Sequence, residues 1–283
     1  MKALVTGGRG FIGGHLIDAL VARGIHAESY DAKDGQDVLD TPTLQAAVSK
    51  CDVVFDCAGM LGSAETFEHP FAAIDANIKG TVAVLEACRA AGVPMVYLSL
   101  KTDWHNPYLI TKRAATEFCH AWHETYGVKV AIVRGLNVYG PRQKWGAVQK
   151  AVPTFIVKAL RGEPIPVHGD GTQITDQIYV NDLCEVLIRA WECKAWGKEI
   201  DAGTGIPTTV NNLAALIVRE AGSNSEIVHV PMRAGEPQQG GVQLADPSMM
   251  TSILNYYPLV DIRDGMADTI NWYREHYREV EVK

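Results

Sequence analysis

Two residues near the middle of the chain are spaced for proton transfer. Tyr108 and Lys112, in Tyr108-Leu-Ile-Thr-Lys112, follow Asn106-Pro107 at the opening of a helix. A separation of four places phenol and ammonium on one helix face, a turn apart. A tyrosine with an ordinary pKa of about 10 is a poor base at neutral pH. A lysine cation a few ångströms away favours the phenolate and brings that pKa toward a useful range. Alone, the spacing also fits an exposed helix face, so its meaning depends on what surrounds it.

A glycine-rich turn supplies that setting. Gly7, Gly8, Gly10 and Gly13 follow the apolar run Ala3-Leu4-Val5, and a helix begins near Phe11 and Ile12. Glycine lets the backbone approach a pyrophosphate resting on the helix N-terminus. The residues fit G-x-G-x-x-G as Gly8, Gly10 and Gly13, or G-x-x-G-x-x-G as Gly7, Gly10 and Gly13, and Gly7, Gly10, Phe11, Ile12 and Gly13 are the expected dinucleotide contacts of the turn. Asp31, at the end of a second apolar run, stands where a carboxylate accepts from the adenosine ribose hydroxyls. A carboxylate there repels a 2′-phosphate, so NAD is expected over NADP, with Lys33 near enough to soften the preference.

Apolar runs at 3–5, 25–30, 53–55, 95–98 and 128–133 alternate with amphipathic stretches at 11–23, 43–49, 76–91 and 108–126. That alternation predicts an α/β fold, a Rossmann-type doubly wound parallel sheet with helices on both faces. Further helices are expected near 152–161, 181–192, 209–221 and 263–276. Prolines punctuate the later chain. The division expected is 1–150 for the NAD-binding domain, with return segments from the later chain possible. Residues 151–283 then form mainly a smaller C-terminal α/β lobe for substrate.

The chain has 283 residues and a net charge of −7 without basic runs, which argues against nucleic acid and anionic membranes as partners. No apolar stretch approaches the roughly 18 residues of a membrane span, and no leader is visible. Six scattered cysteines, never in Cys-x-x-Cys spacing, read as buried thiols of a reducing cytoplasm, with no metal site expected. His120, His123 and Glu124 share a helix but lack a convergent further ligand.

In these motifs the chain resembles the extended short-chain dehydrogenase/reductase family, in its branch of NAD-dependent nucleotide-sugar epimerases and dehydratases. The resemblance runs nearly end to end. It includes Asp37-Val38, Asp52-Val-Val-Phe-Asp-Cys-Ala-Gly59, Asn77-Ile-Lys-Gly-Thr81, Arg134-Gly-Leu-Asn-Val-Tyr-Gly-Pro-Arg142, Gly169-Asp-Gly-Thr-Gln173, Tyr179-Val-Asn-Asp182 and Arg233-Ala-Gly-Glu236. It implies that Asp37 and Val38 flank the adenine, and that Cys57, Ala58, Gly59, Asn77 and Leu98 line the cofactor channel. Lys112 also holds the nicotinamide ribose, and Tyr108 takes a proton from a sugar hydroxyl as hydride leaves. Asn137, Arg233 and Glu236 contact the substrate, the last two at its diphosphate and ribose. A homodimer through the helices near 76–91 and 108–126 is implied as well.

The chain departs from the family pattern twice. The crossing from Ser99 to Tyr108 is short, and Leu100 stands where a substrate-binding hydroxyl is expected, leaving Thr102 as its replacement. The arginine that normally precedes Asp176 is missing, which removes a diphosphate contact unless Arg142, Arg161 or Lys144 substitutes. Thr102-Asp103 is similar to part of the Thr-Asp-Glu triplet of dehydratases, but Trp104 replaces the glutamate, with Lys101, Asp103 and His105 as stand-ins. The expected function is therefore a 4-epimerase acting through a transient 4-keto sugar. A 4,6-dehydratase, a reductase of a non-sugar alcohol and an NAD sensor are the alternatives.

Overall fold

The computed structural model describes residues 1–101, 104–146, 148–233, 236 and 241–280, the last four as backbone only. In chain order β1 (Lys2–Thr6) leads to α1 (Phe11–Ala22), and β2 (His26–Tyr30) to α2 (Thr41–Val48). After β3 (Val53–Asp56) come α3 (Ser63–Glu68), α4 (Pro70–Ile74), a π-helical turn over Asp75–Lys79 and α5 (Gly80–Ala91). Next are β4 (Met95–Ser99), α6 (Pro107–Tyr126), β5 (Val130–Gly135), β6 (Asn137–Tyr139), α7 (Ala151–Arg161), β7 (Ile165–His168), β8 (Ile174–Thr175) and β9 (Gln177–Tyr179). The chain closes with α8 (Val180–Glu192), β10 (Glu199–Ala202), β11 (Thr208–Thr209), α9 (Val210–Glu220), β12 (Ile227–Val230), α10 (Ser248–Leu254) and α11 (Ile262–Val280).

Six strands form one parallel sheet in the order β2-β1-β3-β4-β5-β10. Successive side chains point to opposite faces of a strand. Ala3, Val5, Val53, Phe55, Val96, Ala131 and Val133 therefore meet α1 and α8 on one face. Leu4, Val54, Met95, Tyr97, Val130 and Ile132 meet α2, α5 and α6 on the other. Covering both faces explains why these strands are apolar throughout. Each fully buried aliphatic side chain contributes about 1.5–3 kcal/mol. A separate core joins α7, α9 and α11 through Phe155, Ile156, Leu213, Ile217, Met266, Ile270 and Tyr273.

The sheet switches direction between β1 and β3, so a crevice opens beyond their carboxyl ends. Three buried aspartates tie the later chain around it. Asp176 accepts from the backbone of Thr204 and Gly205, both at 2.8 Å. Asp182 accepts from Leu259 and Val260 at 3.0 and 3.1 Å. Asp201, in β10, binds Lys101 at 2.6 Å and Arg134 at 2.7 Å. Among the described residues, no helix is long and apolar enough to cross a membrane.

Candidate active site

The glycine turn resolves in favour of the longer frame. Gly7 has φ +66°, and a Cβ there would lie 2.8 Å from the Cys57 carbonyl oxygen. Gly10 N–H donates to the Gly7 carbonyl at 2.9 Å, closing the turn. A Cβ on Gly13 would stand 2.3 Å from the same oxygen, so Gly7, Gly10 and Gly13 form the cradle. Gly8 instead faces the side chain of Ser29. Helix α1 starts with no side-chain cap, which leaves its first N–H groups for an anion. Asp31 accepts from the backbone N–H of Arg9 and of Lys33, each at 2.9 Å, which fixes its carboxylate beside the turn with lone pairs to spare. Lys33 reaches back to the Arg9 carbonyl at 3.4 Å. A bare helix end, a cradle closed to side chains and a fixed carboxylate suit a dinucleotide.

Asp37 is exposed and caps its own turn at Leu39 N–H, 2.9 Å away, while Val38 is half-buried against Gly80. Across the crevice, Ala58 N–H donates to Thr6 Oγ1 at 3.2 Å. Burial pushes the Cys57 thiol up to about 12, so it serves as wall and not as nucleophile. Asn77 is fully buried within the π-helical turn. Its amide accepts from Met60 N–H at 2.8 Å and donates to Met60 O at 3.0 Å and Thr111 Oγ1 at 2.9 Å. It thus braces the segment after β3 against α6, with its hydrogen bonds spent inside the protein.

Asn106 and Pro107 explain where Tyr108 sits. Asn106 caps α6 by accepting from Leu109 N–H at 3.0 Å, and proline follows at the first helical position. Tyr108 therefore lies in the first turn, half-buried, with Lys112 one turn on. Lys112 is only 7% exposed; its ammonium donates to the Leu98 carbonyl at 2.7 Å and lies 4.2 Å from the centre of the Tyr97 ring. Burial lowers the lysine to about 8, against the pull of the Asp56 carboxylate. Asp56 is itself buried, which raises its carboxyl, and its Oδ1 accepts from Thr6 Oγ1 at 2.5 Å.

One expectation is corrected. The phenol is not lowered by its lysine: burial raises Tyr108 to about 12. The ammonium is spent on the Leu98 carbonyl and is itself weakened by burial, so desolvation dominates.

Of the expected substrate residues, Asn137 donates to Gln243 Oε1 at 3.2 Å. Arg233 pairs with Glu236 at 2.9 Å and donates to the Gln149 carbonyl at 3.1 Å. Its Nε is buried with no partner among the described residues. Two proposed replacements for the missing arginine are engaged elsewhere: Arg142 with Asp18 at 2.8 Å, and Arg161 over the Trp145 ring at 4.9 Å. Lys101 is held by Asp201, and Thr102 and Asp103 lie outside the described residues. His120 and His123 turn to different partners, Glu199 at 2.5 Å and the Val128 carbonyl at 2.8 Å.

Sequence reasoning missed Lys150. Its ammonium lies 6.0 Å from the centre of the Tyr108 ring, near the charges of Glu65, Arg233 and Glu236. One signal was available: a lysine immediately before the helix starting at Ala151 opposes the positive end of the helix dipole.

The chain is similar to known proteins along most of its length. The model of the NAD dependent epimerase/dehydratase family matches residues 3–203. The UDP-N-acetyl-alpha-D-glucosaminuronate decarboxylase of Bacillus cytotoxicus is 30% identical over 97% of this chain and 98% of its own. A dTDP-glucose 4,6-dehydratase of an Actinoplanes species is 28% identical over 97% and 98%. The solved UDP-glucose 4-epimerase of Thermotoga maritima, with UDP-glucose, gives a TM-score of 0.89 at 27% identity, covering 98% of this chain and 100% of that one. Identity at this level across both halves of the molecule is kinship and not shared architecture alone: the chain is an NAD-using enzyme of the epimerase/dehydratase family.

Proposed function

We propose that this enzyme is a nucleotide-sugar 4-epimerase that works through a transient 4-keto sugar. The observation that carries the reading is Tyr108 in the first turn of α6, with Lys112 one turn behind it, beside the crevice of the glycine turn. Gly7, Gly10, Gly13 and Asp31 would hold NAD, which when bound supplies a hydride acceptor and donor together with a cationic ring. Burial keeps the Tyr108 phenol protonated in the protein alone. Added positive charge is therefore what would ionise it, and the phenolate then takes the proton of the C4 hydroxyl. After the ketone turns over in the site, the phenol would return its proton to the C4 oxygen as the hydride comes back to C4 on the opposite face. Lys112, fixed by the Leu98 carbonyl, would orient the cofactor ribose; Asn137, Arg233 and Glu236 would hold the nucleotide and its diphosphate.

Dehydration at C5 and C6 needs a further acid and base. Trp104 replaces the expected glutamate and Lys101 is tied to Asp201, so epimerisation is favoured. The free cysteines support a reducing, cytoplasmic setting. Exposed Phe67, Phe71 and Ile74 on α3 and α4, which pack against α6, and exposed Ile110 on α6 support association of two copies near these helices.

Incubation with UDP-, GDP- and dTDP-hexoses, read by mass spectrometry and NMR, tests the reading. An isomer of unchanged mass is expected. Loss of one water would reassign the enzyme as a dehydratase, and silence with every sugar would remove the nucleotide-sugar assignment.

A further inference from the structure

A buried acid lies beneath Lys112 and has no part in the proposed steps. Asp56 closes β3, where its register partners are Thr6 of β1 and Tyr97 of β4, so the three side chains form a row on the sheet face that α5 and α6 cover. Lys112 reaches that row from α6, its ammonium 4.2 Å from the centre of the Tyr97 ring. Asp56 is 1% exposed and Lys112 7%, so the two charges share one water-poor space. Thr6 Oγ1 accepts from Ala58 N–H and donates its own proton to Asp56 Oδ1 at 2.5 Å, the length of a hydroxyl bond to an ionised carboxylate. The other oxygen, Oδ2, is buried with no hydrogen-bond partner among the described residues, and so is the Tyr97 hydroxyl, with Thr81 beside both. A buried carboxylate left in that state is costly unless a positive charge answers it.

We propose that Asp56 is the counter-ion that keeps Lys112 an ammonium, and hence a positioning residue for NAD that acts through the lysine. The inference rests on Lys112 holding the nicotinamide ribose. The other ionisable groups around the ammonium are Cys57 after β3, Tyr97 of β4, and Tyr108 and Cys119 of its own helix. Burial pushes all four up, which leaves each of them neutral near pH 7. Cys88 of α5, close to Asp56, is neutral for the same reason. Asp56 is therefore the one anion of this cluster among the described residues. Its field opposes the desolvation that brings the lysine down to about 8. The effect is mutual: burial raises the Asp56 carboxyl, and the charge of Lys112 pulls it back. Without Asp56 the lysine would shed its proton near neutral pH, and the ribose would meet an amine in place of a cation.

The test uses cofactor-stripped protein, wild type and Asp56→Asn, with NAD affinity measured against pH. The variant should bind NAD roughly 3- to 30-fold more weakly at about pH 7.5, with the deficit shrinking severalfold by about pH 6, because losing an opposite charge moves the lysine's titration downward in pH. A deficit equal at every pH would mark a merely structural loss and overturn the proposal, as would no deficit at all. Should the variant fail to fold, carbon NMR of the Asp56 carboxyl in wild-type protein, assigned through the backbone, gives the answer. It should show the ionised shift at about pH 7, and the shift of a neutral acid would overturn the counter-ion. Neither measurement uses a sugar, so failure of the sugar panel would sink the epimerase reading and leave this inference standing.

Discussion

Tyr108 is flanked by two lysines whose surroundings differ. Lys112 is supplied from within: a carbonyl at 2.7 Å, an aromatic face at 4.2 Å and the field of Asp56. Lys150 receives only distant carboxylates and sits at a helix end that repels it. The first lysine belongs to a finished piece of machinery, built by α6 and the ends of β3 and β4. The second stands just before α7, outside that group of elements. On the proposed function, the contrast separates the part of the site built for proton transfer from a part whose cation lacks an ion pair among the described residues.

Four substitutions or measurements can break that contrast or sharpen it. Tyr108→Phe should cut turnover by roughly 10²–10⁴-fold while the purified protein still carries NAD. Activity near wild type would remove the phenol from both halves of the comparison. Gly13→Ala should abolish NAD retention, because its Cβ would stand 2.3 Å from the Gly7 carbonyl. Gly14→Ala, whose Cβ would have 3.6 Å of room, should retain it; equal behaviour of the pair would deny the cradle. Lys112→Met should lower NAD affinity and turnover together by roughly 10- to 100-fold, the loss expected of a charge-assisted contact, whichever sugar is offered. Unchanged NAD affinity and turnover would remove Lys112 from the proposed cofactor site.

The smallest effect concerns pH. Lys112 releases its proton at about 8 in the folded protein, against about 10.4 in an unfolded chain. Between those values the unfolded state binds more protons, so stability rises with pH, and the cost of the buried charge is fully present below the window. Thermal melts of cofactor-free protein should show this upward contribution, as a difference from Lys112→Met. A flat difference across pH 8–10 would mean that the ammonium is not buried as described.

Much of the scaffold was legible in the chain. The five runs became β1 to β5 within a residue or two; β1, β3, β4 and β5 are apolar and buried on both faces, which leaves little ambiguity, while β2 is a more polar edge strand. Asn106-Pro107 marked the start of α6 because each residue acts locally. β10 was harder: Glu199-Ile-Asp-Ala202 carries two acids, pairs only with β5 and lies far along the chain. α3 and α4 are single short turns without a clear apolar period. The phenol's pKa went the wrong way because spacing reveals a neighbouring lysine but neither its preferred acceptor nor the degree of burial. Lys150 escaped for the same reason, since desolvation and missing partners are properties of the folded surroundings.

The amide of Asn77 joins two parts that might otherwise be adjusted separately. Its Oδ1 accepts from Met60 N–H, after β3, while its Nδ2 donates both to the Met60 carbonyl and to Thr111, the residue before Lys112. Because one side chain links the segment after β3 to α6, dinucleotide fit and proton geometry cannot drift independently. Substitutions that loosen this joint should weaken affinity and rate in step, leaving evolution little freedom to tune either alone.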